Sequence, residues 1–174
     1  MEKPSTARVA LKWGVISALI SIAYSVVMIL IDKYQDPSMN TPNFIFGIVV
    51  AVGVLIFAMR EFRTLNDGYL SYGQGLGVGT LTSAVAGVIS GIFTFIYVRF
   101  IDPTVMDKSL DRVRDEWERQ GMDESAMEQA EKLTSMMMTP GALFLITVLG
   151  SLFIGFILSL IIAAVMRRDR PMFE

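Results

Sequence analysis

Apolar positions in this chain gather into stretches with no charged side chain, at residues 13–31, 44–59, 75–98 and 142–166. Runs of about 18 such residues are long enough to cross a hydrocarbon core as helices. The second stretch is short and draws on its flanks, so the predicted spans are about 13–31, 43–60, 75–98 and 142–166. Between the last two the pattern changes to an amphipathic one. Met106, Leu110, Val113 and Trp117 form one helical stripe, with Asp102 and Pro103 as N-cap and first-turn residues. Gly121 breaks that helix, and Asp123 caps a second with Ala126, Ala130, Leu133 and Met137 as its stripe. The prediction is an all-α integral membrane four-helix bundle, one domain over residues 1–174. An extramembrane helical hairpin at about 103–138 lies between spans three and four.

Within the third span the small residues repeat. Gly75, Gly79, Ser83, Gly87 and Gly91 recur every fourth position, which places them on one helix face. In lipid, such ridges let backbones approach and pack by dispersion. A phosphate-binding loop is the other reading of so many glycines. It requires a preceding strand and a lysine or a third glycine at fixed spacing, and none of these is present. Span four carries a matching ridge of Thr147, Ser151, Gly155, Ser159 and Ala163. Shorter series are Ser17, Ser21 and Ser25 in span one, and Gly47 and Ala51 in span two. The expected packing-site residues are Gly75, Gly79, Ser83, Gly87, Gly91, Ser151, Gly155 and Ser159. They serve as internal packing, or one ridge is an interface with a second copy or lines a path.

Turn chemistry sets the start of span three. Asn66-Asp67-Gly68 is a turn signal, and Ser71 with Gln74 has capping-box spacing. Asp36-Pro37 with Thr41-Pro42, and Asp102-Pro103 with Thr139-Pro140, hint at two parallel halves. That alignment sets Ser17, Ser21 and Ser25 over Ser83, Gly87 and Gly91.

Charge adds sidedness. Lys3, Arg8 and Lys12, then Arg60 and Arg63, then Arg167, Arg168 and Arg170 all fall on one side of a four-span chain. The positive-inside rule makes that side, with both termini, cytoplasmic. The opposite short loop has only Lys33, and residues 99–141 hold six basic and ten acidic side chains. Trp13, Tyr69 and Tyr72 mark the inner ends, and Tyr34, Tyr97 and Phe100 the outer ends. The basic leader precedes an apolar run longer than a signal peptide's, so the first span is expected to stay uncleaved.

The segment from Gly68 through Tyr69, Leu70, Ser71, Tyr72, Gly73 and Gln74 to Gly75 opens a small-residue helix. That helix closes at Tyr97 and Ile101-Asp102-Pro103. In this the chain resembles a family of small bacterial membrane proteins grouped as domain of unknown function 4199. The resemblance implies a multi-pass protein of a bacterial inner membrane and implies no activity or cofactor.

The chain has no cysteine and no histidine, which excludes disulfides, thiolate nucleophiles and histidine-based metal sites or triads. No Asp, Glu, Lys or Arg lies within the apolar cores of the spans. That argues against a pump or coupled carrier, which places ionisable groups there. The hydroxyls of Thr80, Thr82, Ser83, Ser90, Thr94, Ser151 and Ser159 remain compatible with a facilitator. Met136, Met137 and Met138 read as apolar filling rather than a copper site. The outer carboxylates, interleaved with Lys108, Arg112, Arg114 and Arg119, read as a solvated salt-bridged face. The functional expectation is a non-enzymatic structural or accessory membrane protein without cofactor or metal. Its partners are the lipid bilayer and a second copy or another membrane protein, not nucleic acid. The alternative is a small homo-oligomeric facilitator, channel or lipid-handling protein. An enzyme would rely on edge carboxylates such as Asp32, Asp36, Asp102 or Asp107, which no spacing recommends.

Overall fold

Ser5 begins the first helix. Its hydroxyl accepts from the Arg8 N–H at 3.3 Å, satisfying an amide that has no partner inside the helix. Helix α1 therefore spans Thr6–Leu30 and starts well before the charge-free run does. Asp36 caps a short 3₁₀ turn, Pro37–Met39, which leads into α2, Asn40–Leu65. Helix α3 spans Tyr72–Ile96, α4 Thr104–Arg119, α5 Glu124–Met137 and α6 Pro140–Met166. These elements come from a computed structural model, which describes residues 5–34 and 36–169. Lys3 and Arg170, two of the predicted inner-side cations, lie outside the described residues. The long helices outrun the predicted spans because absence of charge marks only the part suited to hydrocarbon. Intrahelical hydrogen bonding continues until a cap or a proline stops it.

The chain divides into two compact units. The first holds the described residues up to Ser90 and from Val148 onward; the second is Gly91–Thr147. In the first unit α1 and α2 pair antiparallel. Trp13 stacks on Phe57 with centroids 5.6 Å apart, and Tyr24 on Phe46 at 3.9 Å. The Tyr24 hydroxyl donates to Asn43 Oδ1 at 2.6 Å, which satisfies a polar tip inside an apolar contact. Val9, Leu55, Met59, Phe62, Leu70, Val78, Ile162 and Ala163 join all four long helices in one core.

The turn between α2 and α3 is tied to the end of α6. Asp67 and Gly68 take positive φ of 54° and 83°, a conformation glycine adopts without steric cost. The capping box forms: the Gln74 N–H donates to Ser71 Oγ, and the Ser71 N–H to Gln74 Oε1. Beside it, Leu70 and Arg168 exchange backbone hydrogen bonds of 2.9 and 2.8 Å. The Arg168 guanidinium lies 6.0 Å from the centre of the Tyr69 ring.

In the second unit α3 does not run regularly to Arg99 as its composition predicts. It gives way to a wider turn, Tyr97–Ile101, closed by the Asp102 N–H donating to the Tyr97 carbonyl at 2.9 Å. Pro103 disfavours helical geometry at Asp102, which sits at φ −137° and ψ 85°, outside the helical region. Helix α4 starts at Thr104, a residue later than predicted, while the Asp102 carboxylate accepts from the Thr104 N–H at 3.1 Å. Asp123 caps α5 as expected, accepting from the Ala126 N–H at 2.9 Å. Gly121, at φ 71°, makes the turn between these two helices, and Arg114 reaches Glu131 across it at 3.4 Å. The α5 stripe needs correcting. Ala126 and Ala130 are half-buried, but Leu133 and Met137 are 65% and 59% exposed. The covered face of α5 is instead the one that carries Glu131 and Thr134, and Glu131 pairs with Arg114 there.

Candidate functional site

The five small residues of α3 are all buried. Four of them lie in the first unit, where α6 runs antiparallel against them. A Cβ added to Gly75 would come within 2.8 Å of Ala163 Cβ. One on Gly79 would reach Ser159 Cβ at the same distance, and one on Gly87 would reach Ser151 Cβ at 2.9 Å. One on Gly155 would run into Ser83. The pairs Gly75–Ala163, Gly79–Ser159, Ser83–Gly155 and Gly87–Ser151 therefore step along the two helices in a single register. In the second unit Gly91 sits against Phe144, 2.9 Å from its ring on the same measure. Such closeness is what small side chains allow, and it brings many backbone atoms into dispersion contact.

Hydroxyls at this seam close on backbone. Ser151 Oγ donates across to the Ser83 carbonyl at 2.9 Å. Thr82, Thr147 and Ser159 donate to carbonyls four residues back in their own helices. These bonds satisfy groups that would be costly to leave unpaired in an apolar setting. Thr80 Oγ1 is the exception, buried without a hydrogen-bond partner among the described residues.

Two predicted small-residue series do not behave alike. Gly47 of α2 is exposed with no neighbour within 4 Å of its Cβ position, so Gly47 and Ala51 form no seam. On α1 the buried series is Ala10, Gly14 and Ala18, while Ser17, Ser21 and Ser25 are only half-buried. Gly14 is the close contact: its Cβ position is 2.6 Å from Val85 and 2.9 Å from the Thr82 carbonyl of α3. Nothing but its four-residue spacing announces this series, and the neighbouring serines have the same spacing.

Charge concentrates at the helix ends. Glu61 of α2 accepts from Lys12 Nζ at 2.8 Å and from Trp13 Nε1 at 2.7 Å, linking α2 to α1. Its role escaped the sequence reading because it follows the apolar run by only two residues. Lys33 and Asp36 pair at 2.6 Å. That bond, with the Ser38 hydroxyl and N–H, holds the Asp36 carboxyl far below its ordinary range and raises Lys33 above its own. The Thr104 hydroxyl lowers Asp102, and the Ser125 hydroxyl lowers Asp123. These carboxylates act as caps. Among the described residues no group of three or more Asp or Glu could hold a metal ion.

Only 17–22% of the most apolar stretch of each long helix is buried within the chain. A water-soluble protein rarely leaves such continuous apolar surface uncovered. The class so defined is an all-helical protein with four helices long and apolar enough to cross a membrane. Within that class, the chain belongs to the family described as Protein of unknown function (DUF4199), whose model matches residues 12–168. This agrees with the resemblance drawn from the Gly68–Gly75 segment. No curated protein and no solved structure matches the chain.

Proposed function

We propose that this chain is a multi-pass protein of a bacterial inner membrane with both termini cytoplasmic. Its four long helices form the bundle, and α4 with α5 forms a periplasmic hairpin. It acts without catalysis, as a structural or accessory component that engages another membrane protein through the acidic hairpin. The observation that carries this reading is the α3–α6 seam. Its small residues are taken up by internal packing, and most of its hydroxyls are bonded to helix carbonyls. A facilitator built within one chain would need those groups to face a path instead. The hairpin, in contrast, presents Asp111, Asp115, Glu118, Glu124 and Glu128 outward. Such a face attracts a basic partner at long range.

The absence of cysteine allows a direct test. In intact cells a membrane-impermeant maleimide should label Ser125→Cys and spare Leu65→Cys, with both labelled after lysis. The opposite pattern would overturn the topology. Cross-linking from Ser125→Cys in native membranes should capture a reproducible partner, lost when Asp111, Asp115 and Glu118 become Asn or Gln. Capture that is indifferent to those changes would remove the hairpin from the role.

A further inference from the structure

Between the inner ends of α2 and α6 lies an open cleft of about 520 Å³. Ligand sites commonly fall in this size range, roughly 300–1,000 Å³. Ile56, Ile161, Val165 and Met166 give it apolar walls, and Arg60 and Arg63 stand on its α2 side. Their spacing of three places both guanidinium groups on one helix face. Neither forms an ion pair among the described residues, and no acidic side chain lines the cleft. Glu61, their neighbour in sequence, is turned to Lys12 and Trp13 on α1.

We propose that this cleft is a binding site for an anionic phospholipid of the cytoplasmic leaflet. The chemistry is two-part. Arg60 and Arg63 offer planar donor forks that match phosphate oxygens. The apolar walls continue along exposed Ile161 and Val165 toward the middle of α6, the path an acyl chain takes. A soluble phosphate compound would use the arginines but gain nothing from those walls. A neutral lipid would use the walls and leave the guanidinium groups without an anion. Basic pockets between helices on the cytoplasmic side recognise anionic headgroups in this way. The inference rests on the membrane topology proposed above and goes beyond it by assigning a ligand.

The test is native mass spectrometry of the full chain released from detergent, titrated separately with phosphatidylglycerol, phosphatidylcholine and inorganic phosphate. The wild type should retain phosphatidylglycerol in preference to phosphatidylcholine, and inorganic phosphate should not displace it. Arg60→Gln with Arg63→Gln should weaken retention at least about tenfold. Arg8→Gln with Arg167→Gln, which removes equal charge elsewhere, should leave it within about twofold. Ile161→Trp should also weaken retention by filling the cleft while both arginines stay. This second variant decides the matter if the arginine pair fails to fold. Equal retention by wild type and both cleft variants overturns the site. Equal loss in the control pair shows diffuse attraction and also overturns it, as does displacement by inorganic phosphate. Alkaline carbonate extraction separates the two layers of the argument. Release of the chain from membranes would sink the topology; retention without lipid selectivity would sink the cleft alone.

Discussion

Replacing Gly87 with alanine adds one methyl group where α3 meets α6, and its cost can be worked out. The new carbon would lie 2.9 Å from Ser151 Cβ, 3.1 Å from Ser151 Oγ and 3.3 Å from Val148 Cα. The first distance is about 0.6 Å short of the ~3.5 Å at which carbon pairs are comfortable. Because Val148 Cα is backbone, a rotamer change cannot relieve the contact and α6 must back away. A gap of about 0.5–1 Å forfeits a quarter to a half of each dispersion contact along the seam. Overpacking of this kind costs about 1–3 kcal/mol. Alanine's better helix propensity offsets about 1 kcal/mol in water and less in lipid. The expected net loss is about 1–2 kcal/mol. Gly47→Ala supplies the reference, since no atom lies within 4 Å of its Cβ position and only propensity changes. Combining Gly87→Ala with Ser151→Gly moves the methyl-sized group to the other helix, and a double-mutant cycle isolates the coupling. Equilibrium unfolding in mixed micelles, followed by circular dichroism, should show Gly87→Ala destabilised, Gly47→Ala unchanged or stabilised, and a favourable coupling of at least about 0.5 kcal/mol. If Gly87→Ala is as stable as Gly47→Ala, or Ser151→Gly gives no rescue, the seam does not hold the helices as described.

Glu61→Leu should loosen the α1–α2 pair by about 1–3 kcal/mol, because it leaves the Trp13 N–H without its acceptor and removes the Lys12 ion pair. Trp13 emission in a Trp117→Phe background should change in Glu61→Leu, while Glu61→Gln, which keeps an acceptor, should change it less. Acid should fray α5 from its N-terminus. Asp123 is held below its ordinary pKa by Ser125 and the Ala126 N–H, so its cap is fully present above about pH 4 and lost as pH falls through the lowered folded value. Measured against the intrinsic exchange rate at each pH, protection at the first turn of α5 should fall below pH 4 in the wild type, and should already be low and without this acid transition in Asp123→Ala. The topology labelling and the lipid titration described above complete the set.

What could be read from the sequence depended on whether one helix sufficed to define it. The α3 ridge was legible because four-residue spacing on a single helix sets a face whatever lies opposite. Ser71 with Gln74, and Asp123, were legible because caps are local. The α1 contact was not. Ala10, Gly14 and Ala18 share their period with Ser17, Ser21 and Ser25, and only the rotation of α1 against α3 selects between them. Leu133 and Met137 failed similarly: α5 has several half-apolar faces, and only its packing against α4 selects one. Arg60 and Arg63 entered the sequence reading only as two of the cations expected on the inner side. Their role as one wall of a cleft needs α6 beside them, which no property of α2 foretells.

The seam also carries its own register. Each of its four levels pairs one glycine with one residue that has a Cβ: Gly75 with Ala163, Gly79 with Ser159, Gly155 with Ser83, and Gly87 with Ser151. Sliding α6 one turn in one direction would set Ser83 against Ser151 and Gly79 against Gly155. Sliding it the other way would set Ser83 against Ser159 and Gly87 against Gly155. Either slip creates a level with two Cβ groups, where the measured spacing leaves no room for a second. It also creates a level with none, where packing contacts are lost. Ser83 is what breaks the degeneracy. A ridge of glycine at every level would pack equally closely in all three registers, so the serine interrupting the glycine series on α3 makes the pairing specific.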